Sequence, residues 1–254
     1  MAGRYPDILF HFTNTKEALF GILSDNFKIS YAREKICGSR EVREFAAPMV
    51  SFCDLRLSEV ASHMDAYGEY GIGLTKEWAV RNGLNPVAYW SAGARLIDNL
   101  FDIMGAYFED TKGEPDCDKS LTKQLHYRNL IDIYRFIKNY EGPLKRRDGT
   151  CNPNFRYADE REWRYVPLSN EVEPFINIDR FNQKEKAHWN GDIGCRLEFD
   201  PDDIRYIIVA TESERMAVIE HIRNGTGKGK KYGEEAVTRL ASRILTAGQI
   251  RDDV

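Results

Sequence analysis

The residues best suited to chemistry stand together in Tyr157-Ala-Asp-Glu-Arg-Glu-Trp-Arg-Tyr-Val-Pro167. Glu160 and Glu162 alternate in a run that continues Trp163, Tyr165 and Val166. Those types favour strand, and a period of two puts both carboxylates on one side. Pro167 ends the strand, because it has no N–H for a sheet ladder. Two glutamates on one face are costly unless solvent, a cation or a ligand meets them. Arg161 and Arg164 do not share a face. The segment is read as the chemical end of the protein, with the rest of the chain positioning a ligand against it. The plainer reading is an edge strand carrying alternating salt bridges.

Other candidates are weaker alone. His11, between Phe10 and Phe12, is either a packed, hydrogen-bonded strand histidine or a ring that pins a ligand hydroxyl. Ser51 lacks the Gly-x-Ser-x-Gly elbow of a hydrolase nucleophile and can simply bond a neighbouring backbone group. His63 and Tyr67 are four apart on a helix and share a face, in the core or at the surface. Arg33, Lys35, Arg40 and Arg43 fall in a stretch, 32–45, read as a charged surface loop that can also hold a pyrophosphate. The five histidines and five cysteines show no metal-ligand spacing, so no metal is expected.

These residues need elements to place them. Residues 8–13 read as a first strand, followed by a helix capped by Asn14 or Thr15 with Ala18, Leu19, Ile22 and Leu23 at helical spacing. Residues 27–31 and 48–53 read as strands. A helix opens at Leu57 or Ser58 and runs to Tyr67. Tyr70-Gly-Ile-Gly-Leu74 is a strand whose glycines mark close approach of a backbone or ligand. Thr75 starts a short helix, and 85–90 returns as a strand. Residues 92–108 and 121–140 form a helical pair, read as an insertion over 91–140 between β-rich segments. The strands 194–199 and 204–210, a helix from Thr211 to Arg223 and a last helix from 234 to 245 complete the chain. Strands separated by helices and long loops make an α+β fold of one domain, 1–254.

The totals agree with a globular protein: 254 residues, 42% hydrophobic, and 36 Lys+Arg against 40 Asp+Glu for a net charge of −4. That balance carries no global nucleic-acid signature, so basic loops at Lys145–Arg147 and Lys228–Lys231 would have to act locally and in a salt-sensitive way. Scattered single cysteines and the lack of a signal peptide imply a cytoplasmic protein. No apolar run reaches the roughly 18 residues of a membrane span.

Several stretches together carry a resemblance: Leu9-Phe-His-Phe-Thr13, Ile22-Leu23, Ile29-Ser-Tyr31, Pro48-Met-Val-Ser-Phe-Cys53, Tyr70-Gly-Ile-Gly-Leu-Thr-Lys-Glu-Trp78, Asn85-Pro-Val87 and Glu160-Arg-Glu-Trp-Arg-Tyr-Val-Pro167. The chain resembles the AbiGi family of bacterial abortive-infection proteins over roughly residues 8–210, outside the helical middle. That family is usually described as the antitoxin partner of a nucleotidyltransferase-like toxin. The chain is more distantly similar to the DarT-like ADP-ribosyltransferases that modify nucleic acid. This second resemblance implies an ADP-ribosyltransferase-like split mixed β-sheet with flanking helices. It implies NAD as substrate and a base of RNA or DNA as acceptor. Glu162 would be the catalytic glutamate and Glu160 would orient the acceptor or act as its base. His11 and Thr13 would hold the adenosine half, and Ser51, Tyr67 and Tyr70 would line the nicotinamide pocket. Arg33 would meet the pyrophosphate, with Arg40 and Arg43 competing for the role. Ser51, where the group usually has tyrosine, and the inserted helical pair depart from the pattern. Together the resemblances imply an NAD-dependent ADP-ribosyltransferase acting in phage defence as the toxin of an abortive-infection or toxin–antitoxin system; the alternative function is a catalytically inactive relative, an antitoxin that binds a cognate toxin.

Overall fold

The computed structural model describes residues 6–111, 118–145, 149–168, 171–191, 193–225 and 232–252. The chain begins with β1 (Ile8–Thr13), α1 (Lys16–Asp25) and a short β2 (Phe27–Lys28). A long hairpin of β3 (Ser30–Cys37) and β4 (Val42–Cys53) follows. Next come α2 (Ala61–Tyr67), β5 (Tyr70–Thr75), α3 (Lys76–Arg81), β6 (Asn85–Pro86) and β7 (Ala88–Trp90). The helical pair is α4 (Arg95–Thr111) and α5 (Asp118–Tyr134), and β8 (Ile137–Asn139) leads out of it. A ribbon of β9 (Gly142–Lys145) and β10 (Cys151–Phe155) precedes β11 (Glu162–Tyr165). The last part holds β12 (Ile176–Asn177), α6 (Ile178–Phe181), α7 (Lys186–Gly191), β13 (Arg196–Leu197) and β14 (Ile204–Val209). It closes with α8 (Arg215–Asn224), α9 (Glu234–Ala241), β15 (Ile244–Thr246) and α10 (Ala247–Asp252).

This is a mixed α+β fold. Its main sheet runs β15-β14-β5-β1-β4-β11-β6, with β3 and β12 also pairing along β4. Pairing is antiparallel except between β14 and β15. The largest apolar cluster joins Leu9, Phe52 and Ile72 of the sheet to Leu19, Leu23, Trp78, Val218, Ile222, Val237 and Leu240 on α1, α3, α8 and α9. A second cluster packs Met64 of α2 and Ile250 of α10 against Phe10, Phe12 and Ile208. A third seats Ile97, Phe101, Met104, Ile131 and Tyr134 of the helical pair on Ile36, Phe45, Ala47 and Met49 of the hairpin.

Local chemistry accounts for the elements. Thr15 caps α1 by accepting from the Ala18 N–H, and Thr75 caps α3 by accepting from Trp78. The glycines of β5 make room for a neighbour: a Cβ at Gly71 would lie 2.9 Å from the Phe12 ring, and one at Gly73 2.9 Å from the Phe10 ring.

The stretch 32–45 is not a loop, because most of it forms the β3–β4 hairpin. Its few apolar side chains hid the strands: Ile36 and Phe45 are buried against the helical pair, with Ala32 packed beside them. Its tip is tied down by the insertion: the buried Asp98 carboxylate accepts the N–H groups of Ser39 and Arg40, at 3.0 and 3.1 Å. Asn139 accepts from the Cys37 N–H at 2.8 Å. The stretch 194–199 shortens to the two-residue β13, and the final helix stops at Ala241 so that β15 can pair with β14. Among the described residues no helix is long and apolar enough to cross a membrane.

Candidate functional site

Five of the eight sequence candidates meet at one cavity of about 220 Å³: His11, Ser51, Tyr67, Glu160 and Glu162 all line it. They arrive on β1, β4, α2 and the two sides of a kink before β11. Glu160 does not belong to the strand, as the alternation predicts, but ends the short 3-10 turn Tyr157–Glu160. Arg161 then takes a left-handed backbone, φ 44°, a conformation that a non-glycine residue holds only where its surroundings enforce it. Its carbonyl accepts from the Asp54 N–H at 3.1 Å, which fixes the kink. The two carboxylates converge through this turn and not through strand periodicity.

Their cation is Lys138, which the sequence reading passed over. Its Nζ lies 2.8 Å from Glu160 Oε2 and 3.0 Å from Glu162 Oε2, and 4.8 Å from the Tyr157 ring centre. Lys138 is carried by β8, which pairs in parallel with β7. The helical insertion therefore delivers a charge to the site. Burial disfavours the ammonium, but attraction to Glu162 and Glu160 outweighs it and holds Lys138 protonated well above the usual lysine range.

Glu162 is 6% exposed and its acceptor positions are filled. Oε1 accepts from Ser51 Oγ at 2.6 Å and Arg164 Nε at 2.7 Å; Oε2 accepts from Lys138 at 3.0 Å and an Arg164 terminal nitrogen at 3.1 Å. Burial alone would raise its pKa, but Arg164 and Lys138 push it far below the ordinary carboxylate value. Arg164 is fully buried, faces the same way as Glu162 two residues earlier, and also donates to Glu34 at 2.9 Å and to the Arg135 carbonyl at 2.7 Å. That parity was visible in the sequence. The Tyr89 hydroxyl accepts from the Glu162 N–H at 2.8 Å.

The remaining wall mixes aromatic and titratable groups. Tyr67 donates to Glu160 Oε1, and its ring lies 4.4 Å from that of His63. Burial first, then the Glu160 charge, raises the Tyr67 pKa far above the ordinary phenol value. Burial lowers His63 to about 4 despite the opposing pull of Glu160 and Glu162, so it is neutral at pH 7. His11 is also lowered by burial, against the pull of the Ser51 carbonyl. Its Nδ1 sits 2.8 Å from that carbonyl, which fixes Nδ1 as the N–H and leaves Nε2 as an acceptor.

The other three candidates lie elsewhere. Thr13 ends β1 opposite Tyr70, and the Tyr70 hydroxyl donates to Glu214 at 2.9 Å, outside the cavity. Arg33 alternates with Ala32 and Glu34, which line the cavity, and therefore turns to the other face, over the Phe181 ring at 5.4 Å. Its competitors are also engaged: Arg40 reaches Asp102 at 2.6 Å, and Arg43 covers the Phe101 ring at 4.1 Å. None of the three arginines lines the cavity. The basic loops at Lys145–Arg147 and Lys228–Lys231 lie outside the described residues, apart from the backbone of Lys145.

The profile of a family described as "Putative abortive phage resistance protein AbiGi, antitoxin" matches residues 23–210. The chain belongs to this AbiGi family. It is 27% identical over 234 residues to the "Abortive phage resistance protein AbiGi" of Lactococcus lactis subsp. cremoris, covering 84% of this chain and 90% of that protein. No solved structure is significantly similar to the chain.

Proposed function

We propose that this chain acts in abortive phage resistance as the neutralising partner of a protein toxin, and that its charged cavity recognises and does not cleave. The observation that carries this reading is the saturation of Glu162. Ser51, Arg164 and Lys138 occupy all four of its acceptor positions, so nothing remains for a ribose hydroxyl unless a bond within the protein breaks. The part of the cavity that holds Glu162 is small, about 220 Å³, below the roughly 300–1,000 Å³ of ordinary ligand pockets. Arg33, Arg40 and Arg43, the arginines that the resemblance offers for a pyrophosphate, do not line the cavity. The antitoxin description of the family agrees with such a role.

The test is co-purification of the tagged chain from cells carrying its native locus, followed by growth rescue when the identified partner is expressed. A stable complex, rescue that does not depend on NAD, and no heat of NAD binding are expected. NAD binding with no retained partner would reverse the conclusion.

The second reading, an NAD-dependent ADP-ribosyltransferase acting on RNA or DNA bases, draws on one observation. His11, Ser51 and a strand-borne glutamate converge at a cavity in an antiparallel sheet, as the resemblance to that fold implies. On this reading Glu162 would exchange its Ser51 or Lys138 bond for the ribose. Transfer of labelled ADP-ribose to nucleic acid, lost in Glu162→Gln, would establish it. No transfer from an NAD-bound chain would remove it.

A further inference from the structure

We infer that the cavity is the receptor for one basic side chain, arginine or lysine, presented by the protein partner. This rests on the reading of the chain as a neutralising partner. Charge is the first ground. Among the described residues, Glu34, Glu160 and Glu162 pair with Lys138 and Arg164, three carboxylates against two cations, in a space where His63 is neutral. The imbalance is one negative charge in poorly screened surroundings, and a cation meets it best.

Hydrogen-bonding capacity points the same way. Each Glu160 oxygen accepts one hydrogen bond, from Tyr67 or Lys138, and keeps room for another. His11 Nδ1 is used on the Ser51 carbonyl, which leaves Nε2 as an acceptor. Glu160 and His11 therefore offer acceptors to an occupant that carries several donors. Phe10, Phe12 and Met49 form the apolar side of the cavity, and a methylene stem packs against such a wall while its charged head pairs. A space of about 220 Å³ fits one long side chain.

There is also a way in. An outer groove of about 630 Å³, bordered by Asn152, Phe155 and Arg156, shares His63, Tyr67 and Glu160 with the cavity. Tyr67, 36% exposed, stands where the two meet. A partner segment lying in the groove would present its basic side chain past Tyr67 to Glu160.

The test titrates the full chain, with nitrogen-labelled histidine, against N-acetyl-arginine methylamide and its neutral isostere N-acetyl-citrulline methylamide. The arginine compound should shift the ring signals of His11 and His63 saturably, and the citrulline compound should not. Glu160→Gln should weaken the arginine compound roughly tenfold or more, the loss of a charge-assisted bond. Ala32→Leu fills the cavity from its apolar side while leaving the ion pairs in place, and should abolish binding even if Glu160→Gln folds poorly. Equal shifts from both compounds, or arginine binding unchanged in both variants, would overturn the inference. If both variants hold the partner as the native chain does, the inference falls and the neutralising role stands. If NAD shifts the same signals and ADP-ribose is transferred, the neutralising role itself falls.

Discussion

The two faces of β11 are built from alternate residues of one strand and obey different rules. Trp163 and Tyr165 pack against the large apolar cluster, where Phe52 and Val50 stand opposite them on β4. Glu162 and Arg164 face the other way, opposite Cys53 and Ser51, and belong to a buried ion cluster. The apolar face needs volume and shape, which several side chains can supply. The ionic face needs each partner, because an unpaired buried charge costs far more than the pair returns. A cluster built only for stability could be replaced by hydrocarbon at little loss. Its presence beside a cavity therefore fits recognition better than packing.

The largest effect should come from breaking the ionic face. Arg164→Met leaves Glu162 and Glu34 without their shared guanidinium and is expected to cost about 3–5 kcal/mol in urea unfolding. Replacing Glu34, Glu162 and Arg164 together by methionine should recover most of that loss while abolishing partner binding. If the triple variant still binds, the cluster serves stability alone.

The pH dependence of His63 comes next. Its folded pKa, about 4, lies below the ordinary 6.5, so between those values the unfolded chain takes up a proton that the folded chain refuses. Stability therefore falls as pH drops from 6.5 towards 4, by about 3 kcal/mol at most from this residue. His63→Gln should flatten that slope, measured by urea midpoints across the window, and His11 should retain part of it. On the apolar face, Trp163→Leu should cost less, about 1–2 kcal/mol, because the ring is only half-buried and leucine keeps much of the contact. Histidine ring signals at the cavity should not move.

The same contrast explains what the sequence disclosed. The α+β alternation, the helical pair, the start of α3 at Thr75 and a cap of α1 at Asn14 or Thr15, which falls to Thr15, follow from local spacing and were readable. So was the prominence of Glu160 and Glu162, although the left-handed Arg161 that brings them together leaves no pattern of its own. Lys138 was hidden. In Ile137-Lys-Asn139 it reads as the tail of a helix, and β8 exists only because β7, about 50 residues earlier, pairs with it. Arg33 was misplaced for a related reason. With 32–45 read as a loop, no face could be assigned, and the hairpin register that turns it away from Glu34 is set by β4. Long-range pairing decided both cases, and pairing is what one strand's own residues do not encode.

The smallest expected effect is the most discriminating. Tyr67→Phe removes the hydroxyl that donates to Glu160 and keeps the ring that lies on His63. Loss of one hydrogen bond at a partly exposed site should cost about 1 kcal/mol. In a chain of this size that lowers the unfolding temperature by about 2–4 °C. The variant also frees an acceptor position on Glu160 at the mouth of the cavity. A basic side chain should then bind at least as well as before, although the fold is weaker. Trp163→Leu, of similar cost, should lower stability without touching binding. Opposite movements of stability and binding in Tyr67→Phe would mark Glu160 as a group held for a partner. Parallel losses in both would mark it as part of the protein's own packing.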